Sequence, residues 1–394
     1  MPAAIAHMLI SGKTRPRLRL IAEQLNDPHL TAFVDNVLER HRRFMELGSL
    51  GPDLPYFGTL SSLRNPNRPL SLDQWSYQLH SKEPNVFPLR MIEITWKESD
   101  LTRDDWKEID DKKFAFLCGF LTHMAADQTI HPLVNAVAGS YEKRRRARKR
   151  HRECEVHQDL YILSQEHGGS LRRGQFKRHR LDLWCDPKPR PTPSRPLTAG
   201  RLAGYIWQWL KRLLSPPCPR ELSYLVQKAF VEAYALKAWP VTIQRWVFGA
   251  RLTLRLCNHL PRPIGPYLTA HGHLFDKNGT LRTDKKWYKE FIVLKDVEHR
   301  EYGTYDQYVA AAVELACIYV QAAYKIYVLN ALDDPVRNAF EVVVRDADLG
   351  SPLETGILKT ASDNLAAWDT WLAYYHGLQR PRLAQASAPG RAEP

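Results

Sequence analysis

Apolar residues recur along the chain at helical intervals. Leu18, Ile21 and Leu25, then Leu30, Phe33, Val34, Val37 and Leu38, follow the i, i+3, i+4 rule that lines one face of a helix. The same spacing returns at Phe114, Leu117, Cys118 and Leu121, and again at Leu222, Leu225, Val226, Ala229, Phe230 and Ala233. Longer helical patterns run from Tyr308 to Leu332 and from Leu353 through Tyr375. Alternation with a period of two is scarce, and its best stretch, Phe340 to Val344, is short. The pattern predicts an all-α protein.

Proline and glycine punctuate these helices. Residues 51–69 read as an irregular loop with Pro52, Pro55, Pro66 and Pro69. Residues 186–196 carry five prolines in eleven positions, which predicts an extended, semi-rigid segment. The chain therefore divides into a first helical region, 1–185, a Pro-rich linker or crossing, 186–200, and a second helical region, 201–380. That second region is either a separate unit or the completion of the first. The Ala/Pro/Arg-rich tail, 381–394, is expected to be disordered.

Composition narrows the class. Of the 394 residues, 44% are apolar and 25% charged, which excludes a wholly disordered or collagen-like chain. Six cysteines (118, 154, 185, 218, 257 and 317) are far apart with no Cys-x-x-Cys pair, so free thiols in a reducing compartment are expected. The first residues lack a basic region followed by an apolar run, as a secretory signal requires. Together these predict a cytoplasmic protein. Glu314, Gln321 and Lys325 interrupt the apolar stretch 308–332, so it reads as a buried helix and no transmembrane segment is expected. The net charge is +13, and +9 of it lies between Lys143 and Arg180. The basic character is local.

The segment with the most chemistry is Thr122-His123-Met124-Ala125-Ala126-Asp127-Gln128-Thr129-Ile130-His131-Pro132. His123, Asp127 and His131 stand at i, i+4 and i+8, each step turning only about 40° past a full circle, so they form one polar stripe on a helix. The neighbours Phe120, Leu121, Met124 and Ile130 are apolar. Pro132 predicts that the helix ends near His131. A single histidine is usually a hydrogen-bonded structural residue; three ligand-type side chains in register are what a zinc site uses. His151 and Glu155 form a second i, i+4 pair, and His157 competes with them as a ligand. Next to Lys143–Arg150 a solvated, charged helix face is the commoner reading of that second pair. Glu153, His157 and Asp159 could support a ligating imidazole, and a solvated face explains them equally well. Upstream stand His7, Asp53 in a Gly51-Pro52-Asp53 turn, and His80. His271-Gly272-His273 with Asp276 is read as an exposed, glycine-containing loop that fixes no ligand geometry.

Pro2-x4-His7, Gly51-Pro52-Asp53, His80, His123-x3-Asp127-x3-His131 and His151-x3-Glu155, taken in order, resemble the zinc-dependent phospholipase C family, which shares its ligand order with the single-strand-specific zinc nucleases. The resemblance covers residues 2 to about 161. It implies a multi-helix phospholipase C/nuclease-like bundle and two to three Zn2+ ions. Asp53, His80, His123 and Asp127 would hold one ion, and His131, His151 and Glu155 a second. His7, the amine and carbonyl of Pro2 and a bridging Asp127 would hold the third. It also implies that Asp53 orients or deprotonates the attacking water. Gly-Pro-Asp-x-Pro-Tyr and the four-residue Asp127–His131 spacing resemble the phospholipase branch, so a phospholipid or other phosphodiester is the expected substrate. Lys143–Arg180 is a candidate contact for anionic membrane, or for nucleic acid in the nuclease alternative. Trp75, Tyr77, Trp96 and Trp106 are the aromatics available for stacking, although in a helical protein such residues more often build the core. A basic, non-enzymatic binding module is the third reading.

Overall fold

A computed structural model describes residues 4–58, 72–98, 108–139, 145–172, 218–257, 266–294, 303–329, 334–344 and 358–369. The expected linker at 186–200 and tail at 381–394, and most of the 51–69 loop, lie outside these residues.

The described chain is helical. α1 (Ala4–Leu25) and α2 (Pro28–Phe33) lead into a π-helical turn, Val34–Glu39, and α3 (Arg42–Gly48). A 3-10 turn, Leu54–Gly58, precedes α4 (Leu72–Ser81), α5 (Val86–Glu98), α6 (Glu108–Ala138) and α7 (Arg145–Gln165). The second half contributes α8 (Arg220–Tyr234), α9 (Pro240–Cys257), α10 (Pro266–Leu274) and α11 (Lys286–Phe291). It ends with α12 (Tyr305–Leu329), α13 (Asp334–Val343) and α14 (residues 358–369). Among the described residues there is no strand, only two isolated antiparallel bridges, Ser170–Thr280 and Phe275–Leu281. The all-α expectation holds, and the period-two stretch 340–344 lies at the end of α13. Its inward positions, Val336, Phe340 and Val343, fit a helix whose one face is buried.

α6 is the central element. Nearly every side chain from Lys113 to Ile130 is buried, so a helix apolar all round fills the middle of the fold rather than its surface. α12 packs along it most extensively, then α3, with α7, α1 and α5 closing the remaining sides. Pro132 does not end α6, contrary to the sequence expectation; the helix continues to Ala138. An internal proline costs about 3 kcal/mol, and burial of Leu133, Val134 and Ala138 beyond it offsets that cost.

Two glycines set the closest crossing. A Cβ on Gly48 would lie 1.9 Å from the Phe116 carbonyl oxygen, and one on Gly119 would lie 1.9 Å from the Met45 carbonyl oxygen. α3 and α6 therefore touch backbone to backbone, which only glycine permits. This contact seats the Ser49–Asp53 turn directly against α6. α9 closes on the other side of the same turn, where Gly249 meets the Phe57 carbonyl.

α12 is long and apolar enough to cross a membrane by length and composition, but 78% of that apolar window is buried inside the fold. It is a core helix, as its polar interruptions predict. One hydrophobic cluster runs from α1 through Trp368, so the helices beyond residue 218 pack into the same core as the first half. Cys118, Cys154, Cys218 and Cys317 are free and buried within it.

Candidate metal centre

Eight of the nine residues singled out in the sequence converge on one interior region; the ninth, Pro2, lies outside the described residues. α1 supplies His7, the turn after α3 supplies Asp53, and α4 supplies His80. α6 supplies His123, Asp127 and His131, and α7 supplies His151 and Glu155. All are buried except His80 and His131, which are half-buried at the rim. Their donor atoms fall into three groups: Asp53, His80 and His123; His7, His123 and Asp127; and His131, His151 and Glu155. Within each group the atoms lie no more than 4.8 Å apart.

Asp127 joins the groups. Its Oδ2 lies 3.0 Å from His123 Nε2 and 3.5 Å from His80 Nε2. Its Oδ1 lies 3.3 Å from His7 Nε2 and 3.4 Å from His131 Nε2. Glu155 Oε1 continues the chain of donors, 3.6 Å from His131 Nε2 and 3.1 Å from His151 Nε2. Asp53 Oδ1 closes the opposite end at 3.4 Å from His80 Nε2.

Backbone carbonyls fix the imidazoles. His123 Nδ1 donates to the Ser49 carbonyl at 2.8 Å, and His80 Nδ1 donates to the Ser76 carbonyl at 2.8 Å. With hydrogen on Nδ1, a neutral ring presents the Nε2 lone pair inward. The two Nε2 atoms face each other at 3.4 Å, and with both rings neutral they are two acceptors turned toward one point. That pairing is unfavourable alone and suits a cation held by both. Asp53 Oδ2 and His7 Nδ1 are also buried without a hydrogen-bond partner. A buried carboxylate oxygen so placed costs several kcal/mol unless a charge compensates it, on the order of the penalty for a lone buried ion. The donors are imidazole and carboxylate with no thiolate, a set that suits zinc.

The charges of the site are interlocked. Burial opposes a proton on His7, but Asp127 more than offsets it and raises this imidazole above its ordinary value. Burial likewise opposes charge on His80, and Asp53 and Asp127 reverse the balance. His123 is lowered by burial and by His7 beside it, whose ring stacks on it at 4.0 Å. Burial would raise Asp127, yet His131, His123 and His7 hold it well below the usual carboxylate range. Against burial, His151 and His131 hold Glu155 low.

Three readings of the surroundings change. His157 turns away from the cluster: its Nδ1 donates to the Glu153 carbonyl at 2.5 Å and its Nε2 meets His273 Nδ1 at 3.2 Å. His271 and His273 sit on helix α10, not in an exposed loop. His271 is buried against the Leu171 carbonyl at 2.7 Å, and His273 stacks on Trp287. A helix forms here because Tyr267, Ala270 and Leu274 seal a second apolar cluster with α7. Asp159, by sequence a candidate support for a ligating imidazole or part of a solvated face, instead anchors backbone. It is fully buried and accepts the Ala6 amide at 2.7 Å, the Ile5 amide at 3.4 Å and the Tyr267 hydroxyl at 2.6 Å. Burial pushes its carboxyl up to about 7 in spite of those donors.

Sequence reading missed the carbonyls of Ser49 and Ser76, the Asp159 anchor and the Gly48–Gly119 crossing. The lone glycines inside helical patterns were the available signal. Of the stacking candidates, Trp75 and Trp96 are buried, Tyr77 is exposed and Trp106 lies outside the described residues. Arg146, Arg148, Lys149 and Arg150 are exposed on the turn of α7 preceding His151; the other basic residues before His151 and those beyond Arg172 are not among those whose side chains are described.

The helical fold thus encloses linked His/Asp/Glu groups whose chemistry suits zinc. Residues 7–195, a little under half of the chain, match the family model described as zinc dependent phospholipase C. The resemblance seen in the motifs is thus shown over that region. No curated protein and no solved structure matches the chain.

Proposed function

We propose that the chain is a zinc-dependent phosphodiesterase of the phospholipase C type, cleaving the headgroup diester of a phospholipid. The observation that carries this reading is Asp127, whose two oxygens face two separate histidine sets. A shared carboxylate between neighbouring donor groups is what a multi-ion phosphoryl site needs. We assign two to three zinc ions to the three groups, with Pro2 completing the His7 group as the family resemblance implies. Zinc bound there supplies hydroxide at neutral pH and stabilises charge developing on phosphoryl oxygens.

The chain's own residues set the geometry. Ser49 and Ser76 hold the His123 and His80 rings so that Nε2 points inward. Asp53, held between two prolines and anchored by His80 on Oδ1, keeps Oδ2 to orient water and accept its proton. The new bond runs from that water oxygen to phosphorus as the phosphorus–oxygen bond to diacylglycerol breaks. The departing oxygen takes up the proton that Asp53 accepted, so the products are diacylglycerol and the phosphorylated headgroup. The exposed arginines at the start of α7 support Lys143–Arg180 as a contact for anionic phosphates, and the free, buried thiols support a cytoplasmic location.

Metal analysis of protein purified without chelator, joined to assays on phosphatidylcholine, phosphatidylinositol and single-stranded DNA, tests this reading. Two to three zincs and lipid turnover are expected. Cleavage of DNA without lipid turnover transfers the site to the nuclease reading, and absence of zinc removes both. Asp53→Asn should keep most zinc and lose hydrolysis; full activity in that variant overturns the role given to Asp53.

A further inference from the structure

Eight large apolar side chains stand exposed among the described residues, and four of them, Tyr224, Val231, Trp239 and Val241, fall within eighteen positions. On α8, a rotation of about 100° per residue places Tyr224, Lys228, Val231 and Ala235 in one stripe about 60° wide. That stripe lies opposite the buried Leu222, Leu225, Val226, Ala229 and Phe230. The core therefore accounts for one face of α8 and not for the tyrosine and valine on the other. At Ala235 the chain leaves the helix through a left-handed residue, φ 53°. It continues through the loop Leu236-Lys237-Ala238-Trp239 into the first turn of α9, Pro240-Val241. Trp239 is 59% exposed and Val241 56% exposed. Lys237 Nζ stands 4.4 Å above the Trp239 ring.

Charge tells what this surface faces. Glu232, exposed beside Val231, is the one acid between Tyr224 and Val241; from there to Asp276 the sequence has no further acidic residue, while Lys237, Arg245 and Arg251 follow. Lys237 and Arg245 are exposed beside the apolar loop. An exposed indole with a cation over it and an aliphatic neighbour is the arrangement that sits at the headgroup level of a bilayer. The cations meet lipid phosphate while the rings and methyl groups enter the acyl boundary.

The same elements back the metal centre. Gly249 of α9 lies against the turn that follows Asp53. Trp246, buried one turn and a half beyond Val241, packs edge-on against Trp75 of α4, the helix that carries His80. We propose that the Tyr224–Val241 surface docks on a phospholipid bilayer, with Trp239 and Val241 inserted at headgroup depth and Lys237 and Arg245 against lipid phosphates. This deepens the phospholipase reading and rests on it for its biological sense.

The test uses the full chain in two assays. Sedimentation with vesicles of phosphatidylcholine, with and without phosphatidylserine, reads docking; hydrolysis of a water-soluble, short-chain phosphodiester reads the metal site. The double variant Trp239→Ser/Val241→Ser should lower vesicle partitioning by roughly tenfold or more and leave soluble-diester turnover and the melting temperature unchanged. Lys237→Gln should weaken binding mainly to the phosphatidylserine vesicles, with steep loss at high salt. Undiminished vesicle binding by the double variant overturns the docking surface whatever the enzyme assay shows. If no form hydrolyses any diester, the phosphodiesterase reading fails while the vesicle comparison still decides the surface.

Discussion

Asp159 on α7 accepts the backbone amide of Ala6 on α1 at 2.7 Å, across 153 positions of sequence. This one contact sets the first turn of α1 against the helix that also carries His151 and Glu155. His7, the next residue, is thereby presented to Asp127 at 3.3 Å. A leucine at Asp159 would fill the volume but accept neither amide nor the Tyr267 hydroxyl. Asp159→Leu should cost about 2–3 kcal/mol, the usual range for losing a hydrogen bond to a charged or buried acceptor. Tyr267→Phe, which removes one donor only, should cost about 1 kcal/mol. Urea unfolding of chelator-treated protein measures both, and a loss in Tyr267→Phe equal to that in Asp159→Leu would show that the amide bonds contribute nothing.

The same carboxyl predicts a pH dependence. Burial raises Asp159 to about 7 in the fold, against about 3.9 in an unfolded chain. The folded form thus holds its proton more tightly, so this group's contribution to stability is complete below about pH 4. It declines as pH rises through about 7 and is flat above. Tyr267, Tyr305 and His7 are the titratable groups facing it, and burial holds the Tyr305 hydroxyl well above its ordinary value. Asp159→Asn keeps a neutral acceptor and removes the decline. The Asn variant should therefore gain melting temperature relative to the natural chain between pH 4 and 7, measured metal-free. A difference that does not change with pH would show that Asp159 does not titrate there.

Gly119 and Gly48 offer a sharper mechanical test. A methyl at either site meets a carbonyl oxygen of the facing helix at 1.9 Å, and no side-chain rotation relieves a clash between backbones. Gly119→Ala should push α3 from α6, lengthen the His123–Ser49 hydrogen bond and cost several kcal/mol, on the order of other overpacking and strain effects. Gly12, on α1, has nothing within 4 Å of its missing Cβ. Gly12→Ala should instead stabilise by about 0.5–1 kcal/mol through helix propensity. Thermal melts of the two variants side by side decide whether the crossing or glycine content in general governs stability.

The helices and the ligand-type residues were legible in the chain because both depend on short-range spacing. His123, Asp127 and His131 share a stripe by helix geometry alone, and His151 with Glu155 by the same rule. What joins them was not legible. Asp127 facing four imidazoles depends on how α1, α4 and α6 pack, and the Asp159–Ala6 bond spans most of the first region. Pro132 misled for the opposite reason, since a local preference against helix was overridden by burial on both sides of it. The α10 histidines misled similarly: Gly272 suggested a loop, but Tyr267, Ala270 and Leu274 bury one face and keep the turn helical.

Asp127 also makes the strongest prediction about metal content. Because Oδ2 serves His80 and His123 while Oδ1 serves His7 and His131, one substitution should affect both neighbouring groups at once. Asp127→Asn keeps the volume but replaces one oxygen with an amide nitrogen that cannot ligate and that brings hydrogens toward imidazole lone pairs. Glu155→Gln, by contrast, alters only the group with His131 and His151. Zinc per chain, measured by mass spectrometry after dialysis, should fall further in Asp127→Asn than in Glu155→Gln. Cobalt substitution gives an independent reading, since visible absorption should change throughout in the first variant and in part in the second. Equal zinc loss in the two variants would sink the idea of a shared carboxylate, because separate sites would then each lose one ion. A chain that folds with Asp127→Asn and retains its full zinc would remove Asp127 from the centre altogether.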